Sequence, residues 1–146
     1  MHDISTVLLA KKHRVVQKQI RALAAFILQR EKVGAAAINI VLVSKGQMQE
    51  LNRTYKKHDY DTDVLSFRLD EGREGEPILG EVIISLDCVK AQCREFGNSF
   101  LEELQFCVAH GVLHVLGYDD RTVEERAAMH KRQAVLIRKW EMRSKK

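Results

Sequence analysis

The stretch Ser99-Phe-Leu-Glu-Glu-Leu-Gln-Phe-Cys-Val-Ala-His-Gly-Val-Leu-His-Val-Leu-Gly-Tyr-Asp-Asp120 decides how this chain folds. Its residues are apolar almost all round, a pattern typical of a largely buried helix. Ser99 and Glu102 have the spacing of a capping box, which marks the start of that helix. A single polar stripe crosses the apolar surface, and it carries His110 and His114. Polar groups on a buried helix require a partner or a cleft, so the stripe predicts a site.

The spacing of the two histidines indicates a metal site. On a helix, residues at i and i+4 lie on one face about one turn apart, so His110 and His114 can bind one ion together. Gly117 permits a chain reversal, after which Asp120 can return as a third ligand; Asp119 is the alternative. Three protein ligands leave a coordination position open, as in catalytic zinc sites. The sequence predicts one divalent metal ion, with Zn²⁺ as first choice.

The polar stripe also admits interpretations without a metal ion. Two histidines can instead be satisfied by hydrogen bonds inside a core. Cys107, one turn before His110, could be a soft ligand, but a small buried hydrophobic residue is the more common role. Zinc peptidases of the metzincin kind have a similar helix, but they need a glutamate directly after the first histidine. Here that position is Gly111, so a protease ranks low.

Composition indicates one globular domain spanning residues 1–146. Hydrophobic residues make up 45% and charged residues 30% of the chain, as in ordinary globular proteins. The longest stretch without formal charge, residues 104–118, is too short to span a membrane. The N-terminus lacks the basic and apolar regions of a signal peptide. The 3 cysteines have no disulfide pattern and fit reduced thiols, so we expect a cytoplasmic protein without membrane partners.

The net charge of +4 is concentrated in clusters near both ends and in the middle of the chain. Such a surface attracts polyanions, including nucleic acid. On charge alone, a solvated face kept for solubility is the favoured interpretation. The clusters are residues 11–21, Lys56 with Lys57, and residues 138–146.

Hydrophobic periodicity predicts an α+β domain with roughly four strands and five helices, in which one mixed sheet packs against the helices. The predicted metal site lies on a buried helix in the C-terminal half. Strands are expected at residues 6–10, 37–43, 64–67 and 79–85, the last two as a hairpin around an acidic loop. Helices are expected at residues 13–32, 44–52 (capped by Ser44), 87–97 (capped by Asp87), 99–117 and 122–140.

Four short motifs, in order and correctly spaced, resemble those of the YbeY family of bacterial endoribonucleases. Residues 52–55 have its Asn-x-x-Tyr, and residues 62–67 its Thr-Asp-Val-Leu-Ser-Phe. Residues 79–84 are similar to its Leu-Gly-Asp/Glu-Ile-x-Ile strand, and residues 110–119 to its His-Gly-x-Leu-His-x-Leu-Gly-Tyr-Asp. The resemblance extends over residues 38–129.

The resemblance implies a metal-dependent, single-strand-specific endoribonuclease. It implies a role in ribosomal RNA processing, namely maturation of the 16S rRNA 3′ end, and in ribosome quality control. The implied partners are single-stranded and ribosomal RNA, with proteins of the small ribosomal subunit as further candidates. Two other classes stay open: a non-catalytic RNA-binding factor of ribosome assembly, and a metallohydrolase that acts on a small substrate.

The expected site residues combine the metal ligands with basic neighbours. We predict Lys56 and His114 as catalytic residues, with Lys56 stabilising negative charge at phosphorus. Lys56, Lys57 and Arg68 are predicted to contact RNA. The family has a third histidine where this chain has Asp120, an arginine in place of Lys56 and a proline in place of Arg68. An aspartate can bind zinc through oxygen, but as a harder ligand it weakens the preference for that metal.

Overall fold

The computed structural model describes residues 1–56 and 63–143, with only the backbone described at residues 55 and 56. Within these residues it has four strands and five α-helices, which confirms the α+β prediction. The elements are β1 (His2–Leu8), α1 (Gln17–Arg30), β2 (Ala36–Val43), α2 (Lys45–Leu51), a π-helical turn (Asn52–Lys56), β3 (Val64–Arg68), β4 (Ile78–Ser85), α3 (Leu86–Phe96), α4 (Phe100–Val115) and α5 (Val123–Arg143).

The sheet is mixed, with the strand order β1-β2-β4-β3. β2 pairs in parallel with both β1 and β4, whereas β3 runs antiparallel to β4, as the predicted hairpin requires. The strands β2 and β4 are rich in β-branched residues, which favour the interior of a sheet. One face of the sheet packs against α1 and α4, and α5 packs on α4. α4 therefore lies between the sheet and α5.

The opposite face of the sheet is covered at one end by α2. Met48 of α2 packs against Val43, Leu65 and Ile83 in a second, smaller core. Ser44 caps α2 as predicted, because its side chain accepts a hydrogen bond from the backbone of Gln47 and its own N–H donates back to the Gln47 side chain.

The two largest boundary errors are at the starts of β1 and α1. β1 begins at His2 rather than at residue 6, because its whole length pairs in register with β2, starting with His2 opposite Ala36. α1 begins at Gln17 rather than at residue 13, because the backbone is still extended at Val16. His13, which precedes the helix, has its Nε2 2.8 Å from Oδ1 of Asp87 on α3.

Asp87 does not cap α3 as predicted; Ser85 does, accepting a hydrogen bond from the Cys88 N–H at 3.3 Å. Asp87 lies in the first turn and accepts a hydrogen bond from the Lys45 N–H at 2.7 Å. That hydrogen bond and the one with His13 hold the pKa of Asp87 below its ordinary value. Asp87 thus connects α3 to the start of α2 and to the segment before α1.

No helix among residues 1–56 and 63–143 is both long enough and apolar enough to cross a membrane.

Candidate metal centre

The helix that carries the histidines begins and ends as predicted. Ser99 Oγ accepts from the Glu102 N–H at 3.0 Å, and Glu102 Oε1 accepts from the Ser99 N–H at 2.8 Å, which completes the capping box. Gly117 has φ +109°, a left-handed conformation that glycine adopts without strain. The chain reverses there, and residues 118–120 return along the polar stripe of α4.

A glycine between the two histidines lets α4 lie close to the sheet. A Cβ atom on Gly111 would lie 2.3 Å from Cγ1 of Val82, deep inside van der Waals contact. The Gly111 carbonyl also accepts a hydrogen bond from Ser66 Oγ on β3 at 3.0 Å. Residue 111 therefore faces the sheet, and the absence of a side chain there is what allows the close contact.

Three possible ligand atoms, from His110, His114 and Asp120, lie close together. Nε2 of His110 and Nε2 of His114 lie 3.1 Å apart. Oδ2 of Asp120 lies 3.3 Å from Nε2 of His114 and 3.9 Å from Nε2 of His110. The side chains are 27%, 23% and 44% exposed for His110, His114 and Asp120, so the cluster is reachable from solvent. These three residues form a group able to hold a metal ion.

Hydrogen bonds at the far side of each ring assign the imidazole tautomers. Nδ1 of His110 lies 3.1 Å from Oε1 of Gln133, whose Nε2 donates to the Phe106 carbonyl at 3.3 Å and so orients the amide. Nδ1 of His114 lies 3.0 Å from the Tyr118 carbonyl. Both acceptors require the Nδ1 proton, so each neutral imidazole turns an unprotonated Nε2 inward. Two nitrogen lone pairs and a carboxylate oxygen then face one another, an arrangement that a shared cation stabilises.

The donor set fits a zinc ion. In tetrahedral zinc sites with Zn–N bonds of 2.0–2.1 Å, neighbouring ligand atoms lie about 3.3 Å apart. The three distances of 3.1, 3.3 and 3.9 Å span that value. Burial lowers the pKa of His110, because the imidazolium would lose its hydration, and this favours the neutral form that a metal needs.

Asp119 is directed elsewhere. Its Oδ1 accepts from the Asp120 N–H at 3.2 Å, and its Oδ2 lies 3.5 Å from Nε of Arg121. Of the two neighbouring aspartates that the sequence left open, Asp120 is therefore the one beside the histidines.

Cys107 and Glu103, the other polar residues of the stripe, have separate surroundings. Cys107 is 3% exposed, and burial raises the pKa of its thiol, so the thiol stays protonated. Its Sγ lies 3.5 Å from Oδ2 of Asp63. Glu103 Oε1 accepts from Nδ2 of Asn98 at 3.2 Å. Neither belongs to the group able to hold an ion.

An open groove of about 530 Å³ surrounds the three candidate ligands. Arg68 lies at its rim, where Nη1 donates to the Val115 carbonyl at 3.1 Å and Nε donates to Oδ1 of Asp70 at 2.5 Å. The Arg68 side chain is 40% exposed, so part of its guanidinium still faces the groove. Lys57 and the side chain of Lys56 lie outside the described residues. Described residues that also line the groove are Asp63, Val64, Ser66, Gly117, Tyr118 and Asp119.

Sequence reasoning missed the residues that orient the histidines. Gln133 is a polar residue among the buried positions of α5, which also include Met129 and Ile137. In the sequence, a polar residue among the apolar positions of this helix could have indicated that Gln133 has a buried partner. Tyr118 holds His114 through its backbone, and its hydroxyl donates to Oε1 of Glu31 at 2.6 Å.

Arg132 completes this support from α5. It donates from Nε and Nη2 to Oε2 of Glu31 at 2.8 and 2.6 Å. The Glu31 side chain is only 9% exposed. A buried ion pair thus ties the turn that orients His114 to the end of α1 and to α5.

Replacement of Gln133 tests this support. We expect Gln133→Leu to weaken metal binding roughly 10- to 100-fold, because His110 loses the acceptor that fixes its tautomer. Gln133→Glu keeps an acceptor at that point and should retain most of the affinity. Competition titration with a chromophoric chelator measures both variants. Wild-type affinity in Gln133→Leu would show that this contact does not orient His110.

Comparison with known proteins gives concordant matches. The model of the family described as Endoribonuclease YbeY matches residues 6–141. A protein named Endoribonuclease YbeY from Bacillus licheniformis is 37% identical over 132 residues, 84% of either chain. A protein of the same name from Carboxydothermus hydrogenoformans is 39% identical over 114 residues, covering 78% of this chain and 79% of the other. The solution structure of TM1509 from Thermotoga maritima has a TM-score of 0.61 at 27% identity, covering 98% of this chain and 93% of the other.

Proposed function

Because this chain belongs to the YbeY family of endoribonucleases, we propose that it cleaves single-stranded RNA in ribosomal RNA processing. The proposal extends to maturation of the 16S rRNA 3′ end and to ribosome quality control, in the cytoplasm. Residues 1–146 act as one domain with one divalent ion at its centre. The observation that carries the proposal is the convergence of two imidazole nitrogens and a carboxylate oxygen in an open groove.

His110, His114 and Asp120 would hold the ion, for which Zn²⁺ is our first choice. When bound, such an ion supplies a Lewis acid that polarises a phosphoryl oxygen and lowers the pKa of a water molecule. The residues of the chain contribute binding and orientation: the two imidazoles present nitrogen, and Arg68 places positive charge at the rim. We assign charge stabilisation to Lys56 and RNA contacts to Lys56, Lys57 and Arg68.

The basic clusters are proposed to attract the phosphate backbone of RNA. Their affinity is expected to fall as salt rises, because binding releases counterions from the phosphates. Ribosomal RNA is therefore the proposed partner, with proteins of the small ribosomal subunit as additional partners at the same assembly stage.

A cleavage assay tests the proposal. Metal-loaded protein should cut a single-stranded RNA and leave the matching duplex intact, and a chelator should abolish cutting until metal is restored. If the protein binds the strand without cutting it, the alternative of a ribosome-assembly factor replaces the enzyme. If it neither binds nor cuts RNA, a small-substrate metallohydrolase replaces both.

Replacement of Asp120 tests the third ligand and the metal preference. We expect Asp120→His to raise zinc affinity about tenfold, because a neutral nitrogen suits Zn²⁺ better than a hard carboxylate oxygen. Asp119→Asn is the matched control and should leave affinity nearly unchanged, since its amide oxygen can still accept from the Asp120 N–H. Unchanged stoichiometry and affinity in Asp120→His, measured by metal analysis and chelator competition, would exclude Asp120 as a ligand.

A further inference from the structure

A second hollow adjoins the metal groove on the other side of His110. It encloses about 350 Å³, close to the lower limit for small-ligand sites. It shares Asp63, Val64 and His110 with the groove, so the two lie side by side. Its remaining walls come from three helices that pack in the order α3, α4, α5. The wall residues used below are Gln92 and Phe96 of α3, Glu103 of α4 and His130 of α5.

We propose that this second hollow binds one nucleobase of the RNA strand, adjacent to the phosphate at the metal centre. The inference rests on the proposed function and adds a base-recognition subsite to it. A strand whose backbone lies along the groove would reach the hollow within one nucleotide, because His110 borders both.

The charge of the walls selects a base rather than a phosphate. Among the described residues that line the hollow, none is lysine or arginine, and two are the acids Asp63 and Glu103. A phosphate would be repelled there, whereas the groove offers the partly exposed guanidinium of Arg68. The charges therefore favour an orientation of the RNA in which its phosphate backbone lies in the groove and a base enters the hollow.

The rims of the hollow provide surfaces for stacking. Phe96 is 66% exposed, although it is a large apolar side chain at the last position of α3. His130, on α5, is also exposed and lines the hollow from the other side. Aromatic rings that border a groove for single-stranded RNA are typical stacking surfaces, because every base has a π-face.

The polar walls select among bases. Glu103 uses Oε1 to accept one hydrogen bond from Asn98, at 3.2 Å, which leaves further acceptor capacity on the carboxylate. A carboxylate accepts from the exocyclic amino group of cytosine, as in known base contacts. On uracil, carbonyl oxygens flank the single N–H and repel a carboxylate. The hollow should therefore prefer a base with an amino group over uracil, and the Gln92 amide can donate to the carbonyl of cytosine.

The test combines nucleotide binding with cleavage on the zinc-loaded protein. CMP and UMP contain no phosphodiester to cut, so NMR titration measures their dissociation constants whether or not the protein is a nuclease. We expect CMP to bind about tenfold more tightly than UMP, with the largest shifts in α3 and at His130. Phe96→Ala should weaken both nucleotides about tenfold, as loss of one stacking surface predicts. Glu103→Gln should reduce the preference for CMP to about twofold or less.

The control is Met142→Ala, which removes a side chain that is 60% exposed on α5 but does not line the hollow. All three variants should keep wild-type metal content. If wild-type protein cuts RNA while Phe96→Ala and Glu103→Gln keep wild-type nucleotide binding and KM, the subsite is refuted and the nuclease stands. If no RNA is cut but CMP binding depends on both residues, the nuclease fails and the base site stands.

Discussion

Replacement of His114 by alanine should remove the metal and leave the fold intact. Metal content is expected to fall from about one ion per chain to near zero, since a three-ligand site cannot lose an imidazole and keep its affinity. RNA cleavage should fall roughly a thousandfold, because a bound ion contributes several kcal/mol of charge stabilisation. The fold should persist, because the His114 side chain is 23% exposed and lies at the groove rather than in the core.

Metal analysis, circular dichroism and single-turnover cleavage check this expectation together. His2→Ala is the matched control: His2 lies on β1, and its Nε2 lies 2.8 Å from the Val33 carbonyl, away from the groove. It should keep wild-type metal content and cleavage. Wild-type metal content in His114→Ala would refute the ligand assignment, whatever happened to activity.

Replacement of Gly111 by alanine should destabilise the protein although it adds a single methyl group. The new Cβ would lie 2.3 Å from Cγ1 of Val82 and 3.2 Å from Cγ1 of Val64, so α4 must move away from the sheet. Overpacking of this kind costs about 2 kcal/mol, even though alanine favours a helix more than glycine does. The melting temperature should fall by roughly 6 °C. Metal affinity should fall as well, because residue 111 lies between the two histidines proposed as ligands.

Gly46→Ala provides the comparison for Gly111→Ala. Gly46 lies in helix α2, and a Cβ there would have no neighbour within 4 Å. This variant should gain about 0.5 kcal/mol from helix propensity alone. Thermal unfolding of the metal-free proteins separates the effect on packing from any effect of metal binding. Equal melting temperatures for the two variants would mean that a Cβ at residue 111 does not disturb the packing of α4 on the sheet.

Local patterns were sufficient to predict much of this molecule. The capping box at Ser99, the spacing of His110 and His114 and the reversal at Gly117 all lie within one stretch of chain and follow local backbone geometry. The strands β2 and β4 were predicted to within one residue at their starts, because a run of β-branched residues bounded by polar ones is a local signal. Local patterns did not predict the position of Asp87 or the length of β1, since both depend on partners far along the chain.

For the candidate site, too, some features were predictable from local sequence and others depended on the tertiary structure. Local sequence supplied the ligand types and their order, because a helix turn and a glycine reversal bring His110, His114 and Asp120 together over eleven residues. The choice of Asp120 over Asp119, the orientation of His110 by Gln133 and the hollow between α3, α4 and α5 followed only from the folded chain. Each depends on contacts between elements that are distant in sequence, and the energies that select such contacts come from packing and hydrogen bonding across the core, which no local pattern encodes.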